Sequence, residues 1–354
     1  MQQSLTGFSY PTDSLPDIAV GLLSFNRADE VLRTLELFDA IDYPSAKLHL
    51  VVIDNASSDG TADRVRQRFG DRVEIVRLDE NIGAIARNQS ILGRPEKYIF
   101  QFDEDTAPAD PTTIRDAVEW FDRHPHVGAL CFRSLNVHTG MSDWGPLEKF
   151  ASRRLPDGSS EGIFAIGNGM GFRRDAVQRT MGYDPRIFWG AEELHFGLEL
   201  LYNNITIAYH PGLVIVHRQL PRVMPRAQVV EQEVRNNIRA YMIFMPAPLG
   251  IAMSLLHCAR RLAQAAKHSD NDHAVATFRG AGRAIRERRD WLPTRRPIPM
   301  SRFAANNRWV FLTFIGLPAS RRYEGDADRV ARTQQALERL ESTSTAVEPN
   351  RATP

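Results

Sequence analysis

Cysteine is nearly absent. The chain has two, Cys131 and Cys258. Two such distant cysteines exclude a disulfide framework and a thiolate metal cluster, and they fit a reducing compartment. Long apolar runs are also missing. The longest uncharged apolar stretch, 240–256, has 17 residues and contains Pro246 and Pro248, too short and too interrupted to be read as a transmembrane helix. Met1 to Ser14 is polar and has no apolar centre, so no signal peptide is expected. No Walker-type glycine loop is present. Gly167-Asn168-Gly169-Met170-Gly171 has no following lysine and no place after a first strand, so it reads as a tight bend. Internal repeats are absent too.

What remains is a 354-residue chain, 43% hydrophobic and 25% charged. That balance belongs to a soluble globular protein with room for one large or two ordinary domains. The net charge of +1 conceals a division. Residues 218–322 carry 19 Lys and Arg against 6 Asp and Glu, whereas residues 1–217 carry 21 against 31. An acidic first part and a basic second part suggest two tasks. The basic part suits an anionic surface, and phospholipid is preferred because no nucleic-acid-binding motif accompanies the charge.

Strand-like and helix-like segments alternate through the first part. Residues 18–24, 48–53, 73–78 and 98–102 read as buried strands, with 127–132 as another. Between them Val31, Leu32, Leu35 and Phe38 recur at helical spacing, as do Val65 and Phe69, and 112–124 reads as a helix. This alternation predicts an α/β fold with a mixed, mostly parallel sheet. Ligands in such sheets sit beyond the carboxyl ends of the strands. Three polar clusters fall there: Ser24-Phe25-Asn26-Arg27, Asp54-Asn55, and Asp103-Glu104-Asp105. Asn26 and Asn55 also suit simple turns, Asp59-Gly60 is read as one, and Arg87 could be a solvated helix charge.

The fourth strand is the most informative. Tyr98-Ile99-Phe100-Gln101-Phe102 runs straight into Asp103-Glu104-Asp105. Three successive anions at the end of a buried strand repel one another. A hard divalent cation with oxygen ligands relieves that repulsion, especially one that also holds a diphosphate. An acidic solvated loop is the alternative.

Together these stretches resemble a family 2 inverting glycosyltransferase of GT-A fold. The resemblance rests on Ser24-Phe25-Asn26-Arg27, on 52–61 (Val-Ile-Asp-Asn-Ala-Ser-Ser-Asp-Gly-Thr), on Asn81-Ile82-Gly83 with Arg87-Asn88, and on the acid triplet. It covers about residues 18–217. It implies a nucleotide-diphosphate sugar donor, with Asp54 on the nucleobase and Ser24, Asn26, Arg27, Asn55, Asn81, Gly83, Arg87, Asp103 and Glu104 lining the donor site. It also implies Mn²⁺ or Mg²⁺ on the diphosphate, with Asp105 as ligand and Asp103 near the sugar or the ion.

Phe188-Trp189-Gly190-Ala191-Glu192-Glu193-Leu194-His195 is the next chemical stretch. Both glutamates fall in the first turn of a helix, where negative charge is favourable. That could be their whole role. Inversion at an anomeric carbon, however, needs a carboxylate to take the proton of the attacking hydroxyl. The resemblance places that base at Glu193, with Glu192 as the alternative. The sequence departs from the family in having Glu rather than Asp at that position and His195 where another acid is frequent. His195 is expected to be structural. Trp189 adjoins the pair and is a candidate for stacking on an acceptor sugar. His217 ends an apolar strand and could be a core residue, but it matches the histidine that many family members use as a metal ligand. Trp144 and Phe150 could cover the site.

Residues 221–323 are basic and apolar. Arg260-Arg261 and the later arginines, with Trp291 and Trp309, suit either a helix in a membrane interface or a buried helical subdomain with a basic face. The expected organisation is an extension at 1–17, the GT-A domain at 18–220, this helical region at 221–323, and a short helix with a disordered tail at 324–354. The expected activity is transfer of a sugar to a hydroxyl of a glycan or lipid-linked glycan. The expected place is the cytoplasm, at the inner face of the plasma membrane. Two competitors remain: a sugar-phosphate nucleotidyltransferase, which should carry a glycine-rich arginine-lysine loop near the first strand, and a non-catalytic sugar-nucleotide-binding assembly protein.

Overall fold

The computed structural model describes residues 14–143, 151–162, 167–219 and 224–306, with Ala331 alone beyond them. Trp144, Phe150, Trp309, the short helix expected near residue 330 and the tail lie outside these ranges, apart from Ala331. The strands are β1 (Ile18–Ser24), β2 (Leu48–Asp54), β3 (Val73–Arg77), β4 (Tyr98–Asp103), β5 (Thr106–Pro108), β6 (Val127–Asn136), β7 (Arg153–Arg154), β8 (Ser160–Glu161), β9 (Gly169–Arg173) and β10 (Thr206–His217). They form one sheet in the order β3-β2-β1-β4-β9-β6-β10-β8-β7, with β5 added to β10. Strands β1 to β4 pair in parallel, as do β6 and β10, while β9 runs antiparallel between β4 and β6.

Period-two burial explains the layers. Val20, Leu22, Phe100 and Phe102 point to one face, against α1 (Ala28–Asp39), α2 (Thr61–Phe69) and, after the short α3 (Asn88–Ile91), α4 (Thr113–Arg123). Ala19 and Ile99 point to the other face, with Met170 and Phe172 of β9. There the cover is α5 (Arg174–Val177) and α6 (Glu192–Tyr202). Both faces are thus covered, as a largely parallel sheet requires.

One local reading is corrected. The glycine run at 167–171 turns only at Gly167-Asn168 and is a strand from Gly169 onward. A Cβ at Gly169 would lie 2.3 Å from Ile215 Cδ1, and one at Gly171 would lie 2.7 Å from the Phe100 ring. These glycines are the room that large neighbours need. The two apolar segments 205–209 and 213–217 are one strand, β10, with an irregular register between His210 and Val214.

Three long helices follow: α7 (Arg226–Phe244), α8 (Ala247–Lys267) and α9 (Asn271–Arg286), then the short α10 (Arg288–Trp291) and α11 (Met300–Asn306). The apolar stretch 240–256 is therefore divided between α7 and α8 at Met245-Pro246. Among the described residues no helix is long and apolar enough to cross a membrane. Trp291 is buried and donates its indole N–H to Ala284 O at 3.0 Å, so it does not face outward. Its core joins Leu194 and Leu198 of α6 to Tyr241 and Phe244 of α7 and Met253 of α8.

A buried polar knot crosses the same boundary. Asp184 accepts from Arg186 Nε and Nη2, both at 2.9 Å, and from Arg239 Nη2 at 3.0 and 3.1 Å, and it lies 3.2 Å from His195 Nε2. Burial opposes its charge, but these partners hold the carboxyl well below the usual range. His195 is thus structural, held between Asp184 and the edge of Phe244. Asp184→Ala would strand Arg239, which is 1% exposed. We expect a loss of about 3–5 kcal/mol, the usual consequence of orphaning a buried charge, read as a lower urea midpoint. An unchanged midpoint would show that the knot does not secure the helical region.

Candidate active site

The parallel register aligns three strand ends. Ser24 lies opposite Asp54, and Leu23 lies opposite Asp103. The loops beyond them are tied together by short polar side chains. Asn26 has a positive φ of 53°. Its N–H donates to Ser57 Oγ at 2.9 Å, and its Oδ1 accepts from Ser58 N at 2.7 Å. Asp54 is buried and accepts from Ser57 N at 2.9 Å, with Arg77 Nε 4.0 Å away. Asp59 is more than a turn residue. It accepts from Ala28 N at 3.0 Å and from Thr61, so it joins the second loop to the start of α1. Burial works against its charge, but those donors lower its pKa.

Asn55 is used up inside the protein. It donates to Asn81 Oδ1 at 2.9 Å and Gly83 O at 3.3 Å, and accepts from Ile82 N at 3.0 Å. Asn81 also accepts from Gly83 N. These bonds fix the 81–83 loop. Gly83 has φ 71°, and a Cβ there would sit 2.0 Å from Phe188 O. Only glycine allows that approach, which is sealed by Ala84 N donating to Phe188 O at 2.7 Å. Ser24 is fully buried, and its hydroxyl has no partner among the described residues. Arg27 precedes α1 and accepts Val31 N through its carbonyl.

The acid triplet divides three ways. Asp103 meets Arg87 Nη2 at 2.5 Å. With its amide oxygen turned inward, Gln101 accepts from the same guanidinium at 2.5 and 3.1 Å. Arg87 is therefore a buried ion-pair partner, not a solvated charge. Glu104 is enclosed on most sides, and burial followed by the charges of Asp103 and Asp105 pushes its pKa up to about 8. Its carbonyl accepts from Arg218 Nη2 at 3.0 Å and from Thr34 Oγ1 at 2.5 Å. Arg218 also meets Glu30 Oε2 at 2.8 Å, so it ties the triplet to α1.

Asp105 turns toward His217, with Oδ2 to Nε2 at 3.4 Å. The other ring nitrogen, Nδ1, lies 2.9 Å from Asp143 Oδ2. Burial works against a charged ring, but the two carboxylates push its pKa up to about 10. Asp143 also accepts from Ser134 Oγ at 2.5 Å and Asn168 Nδ2 at 3.2 Å. This set fits a divalent cation. Ligand atoms about 2.1 Å from an ion and at right angles are about 3 Å apart, close to the Asp105–His217 separation. A carboxylate on the far ring nitrogen is the usual support of a metal-binding histidine. Among the described residues no three such groups are gathered to hold an ion alone, so phosphate oxygens or water would have to complete the shell. Asp103, facing Arg87, is not directed to this point.

Glu192 and Glu193 open α6, after Ala191 at φ 61°. Burial and then the Glu193 charge push Glu192 up to about 8, and burial raises Glu193 as well. Glu192 Oε2 is buried without a partner among the described residues. Arg87 and Asp103 act electrostatically on both glutamates. On the other side, a Cβ at Gly167 would lie 2.2 Å from Glu193 Oε1, and the next residue, Asn168, bonds Asp143. One short segment thus touches both Glu193 and the support of His217. Trp189 is partly exposed beside them, and Asn236 Nδ2 donates to its carbonyl at 3.0 Å.

Asp143, Arg218 and the bridging role of Asp59 escape the sequence reading. Asp143 is 74 residues from the histidine that it supports, and no local motif marks it.

The site can be compared with known proteins. The Glycosyl transferase family 2 profile matches residues 20–180. Glycosyltransferase AglE of Haloferax volcanii is 31% identical over 100 residues, 27% of this chain and 33% of that protein. Succinoglycan biosynthesis protein ExoO of Rhizobium meliloti is 30% identical over 111 residues, 31% of each chain. The matched segment spans about a third of the length of these relatives. Among solved structures, mannosyltransferase PcManGT of Pyrobaculum calidifontis, in complex with GDP-Man and Mn²⁺, has a TM-score of 0.51 at 21% identity and covers 86% of this chain and 88% of its own. GalNAc-T7 with UDP, GalNAc and Mn²⁺ has a TM-score of 0.52 at 15% identity, over 66% and 49%. These likenesses identify the GT-A fold. With the profile match, they mean that the chain carries a glycosyltransferase family 2 domain over residues 20–180.

Proposed function

We propose that this chain is a metal-dependent inverting glycosyltransferase. It takes a nucleoside-diphosphate sugar and transfers the sugar to a hydroxyl of a glycan or lipid-linked glycan. What supports this reading is the Gly167-Asn168 segment: a Cβ at Gly167 would meet Glu193 Oε1, and Asn168 donates to Asp143, which supports His217 beside Asp105. The matched family and the nucleotide-bound, Mn²⁺-bound fold relatives support it.

In this reading Asp54 accepts from the nucleobase. Arg87 holds Asp103 oriented toward the sugar or ribose. Asp105 and His217 would hold Mn²⁺ or Mg²⁺, which supplies positive charge to the diphosphate leaving group when bound. Glu193 accepts the proton of the acceptor hydroxyl as its oxygen bonds to the anomeric carbon and the carbon–phosphate-oxygen bond breaks. The products are the inverted glycoside, the nucleoside diphosphate and a protonated Glu193. Glu192 keeps the pair's proton affinity high, and Trp189 lies where an acceptor ring would stack.

Four outcomes test this. Glu193→Gln should retain donor binding by calorimetry but lose about 10²-fold or more in turnover; near-normal turnover would reject Glu193 as base. The rate should rise as pH increases above the usual carboxylate range, because burial raises Glu193 and it must lose its proton before it can accept one. In Glu192→Gln the rise should move to lower pH, since the like charge is gone, and an unmoved profile would contradict the coupling. Asp143→Asn should weaken Mn²⁺ binding about 10–100-fold, measured by titration in the presence of nucleoside diphosphate. Equal affinity would remove Asp143 from the account.

A further inference from the structure

The α8–α9 hairpin presents a surface that the catalytic reading does not use. Of the 21 residues of α8, only Gly250, Met253 and Ala265 are buried. Its outward positions recur every three or four residues: Pro248, Ile251, Leu255, Ala259, Ala263 and Ala266, with Ala252 and Leu256 beside them. All of these are apolar, and Lys267 at the helix end is the one charged residue of α8 that is exposed. A soluble helix normally turns its charged face outward, and this one does the reverse. In α9, Val275, Phe278, Gly282 and Ile285 follow the same spacing. Leu255, Phe278 and Ile285 are 66%, 65% and 60% exposed, unusual for side chains of that size.

The charge around this surface selects its partner. Arg279, Arg286 and Arg289 are exposed and form no ion pair among the described residues. Of the nearby acids, Glu287 is already paired with Arg235 and Arg283, and Asp272 and Asp290 are exposed, so the arginines remain in excess. A second copy of this chain on the same face would set arginine against arginine. An anionic lipid surface supplies the missing negative charge and accepts the apolar stripe between its headgroups. Helices with apolar and arginine-rich faces lie in this way in the membrane interface.

We infer that the outward stripes of α8 and α9, with Arg279, Arg286 and Arg289, form a docking surface for an anionic phospholipid bilayer, so that the protein binds membranes peripherally. Through the core shared by α6, α7 and α8, that surface is fixed rigidly to the helix that begins with Glu192 and Glu193. The inference stands whether or not the chain transfers sugar.

The test uses the full chain and sedimentation with vesicles of phosphatidylcholine alone or of phosphatidylcholine mixed with phosphatidylglycerol. Binding to the anionic vesicles, little binding to the neutral ones, and loss of binding at high salt are expected. Arg279→Glu with Arg286→Glu should reduce affinity about 30-fold or more, at about fivefold per arginine near such a surface. Leu255→Asp with Phe278→Asp should also release the protein, while circular dichroism and nucleoside-diphosphate binding stay unchanged. No binding to anionic vesicles would overturn the inference. So would binding that survives both double variants, or a dimer in light scattering that Leu255→Asp with Phe278→Asp dissociates.

Discussion

Carboxylates of like charge are close enough to act on one another, and the fold around them answers that repulsion. Asp103, Glu104 and Asp105 follow one another at the end of β4, and Glu192 and Glu193 begin the helix across from them. Two cationic side chains enter this group: Arg87 on Asp103, and His217 between Asp105 and Asp143. For Glu104, Glu192 and Glu193, burial first and the neighbouring carboxylates after it displace the pKa upward. A chain selected for stability alone has little reason to keep that arrangement, whereas a site for a cation, a diphosphate and a proton in transit requires it.

The remaining architecture holds the charges in place. Parallel register sets Ser24, Asp54 and Asp103 in adjacent strands. Arg218 fastens the triplet's backbone to α1, and Asn55 with Asn81 fastens the neighbouring loop. Glycines 83 and 167 allow backbone to come against Phe188 and Glu193. Asp184, with Arg186, Arg239 and His195, locks α6 to α7, so the glutamate pair stands on a helix braced from behind.

Much of this was legible in the chain because its signals are local. The alternation of apolar runs gave the first four strands, and the acids stand directly at the end of one of them. Long-range features were not legible. The glycine run at 167–171 has the composition of a bend, and only the bulk of Phe100, Phe102 and Ile215 explains why it is a strand. Asp143 has no motif, because its meaning comes from a histidine on β10. Trp291 has the composition of an interface residue but is claimed by a core that spans three helices. Asn55 matched the family pattern of the donor site, yet its hydrogen bonds are all spent on the adjacent loop.

The account depends on Asp105 and His217 receiving one ion together. Anomalous diffraction from crystals grown with Mn²⁺ and a nucleoside diphosphate reads that directly. The account predicts a manganese peak within bonding distance of both Asp105 Oδ2 and His217 Nε2, with the diphosphate on its open side and Glu193 facing it. A peak at any other place, or a bound diphosphate with no metal at that pair, would contradict it.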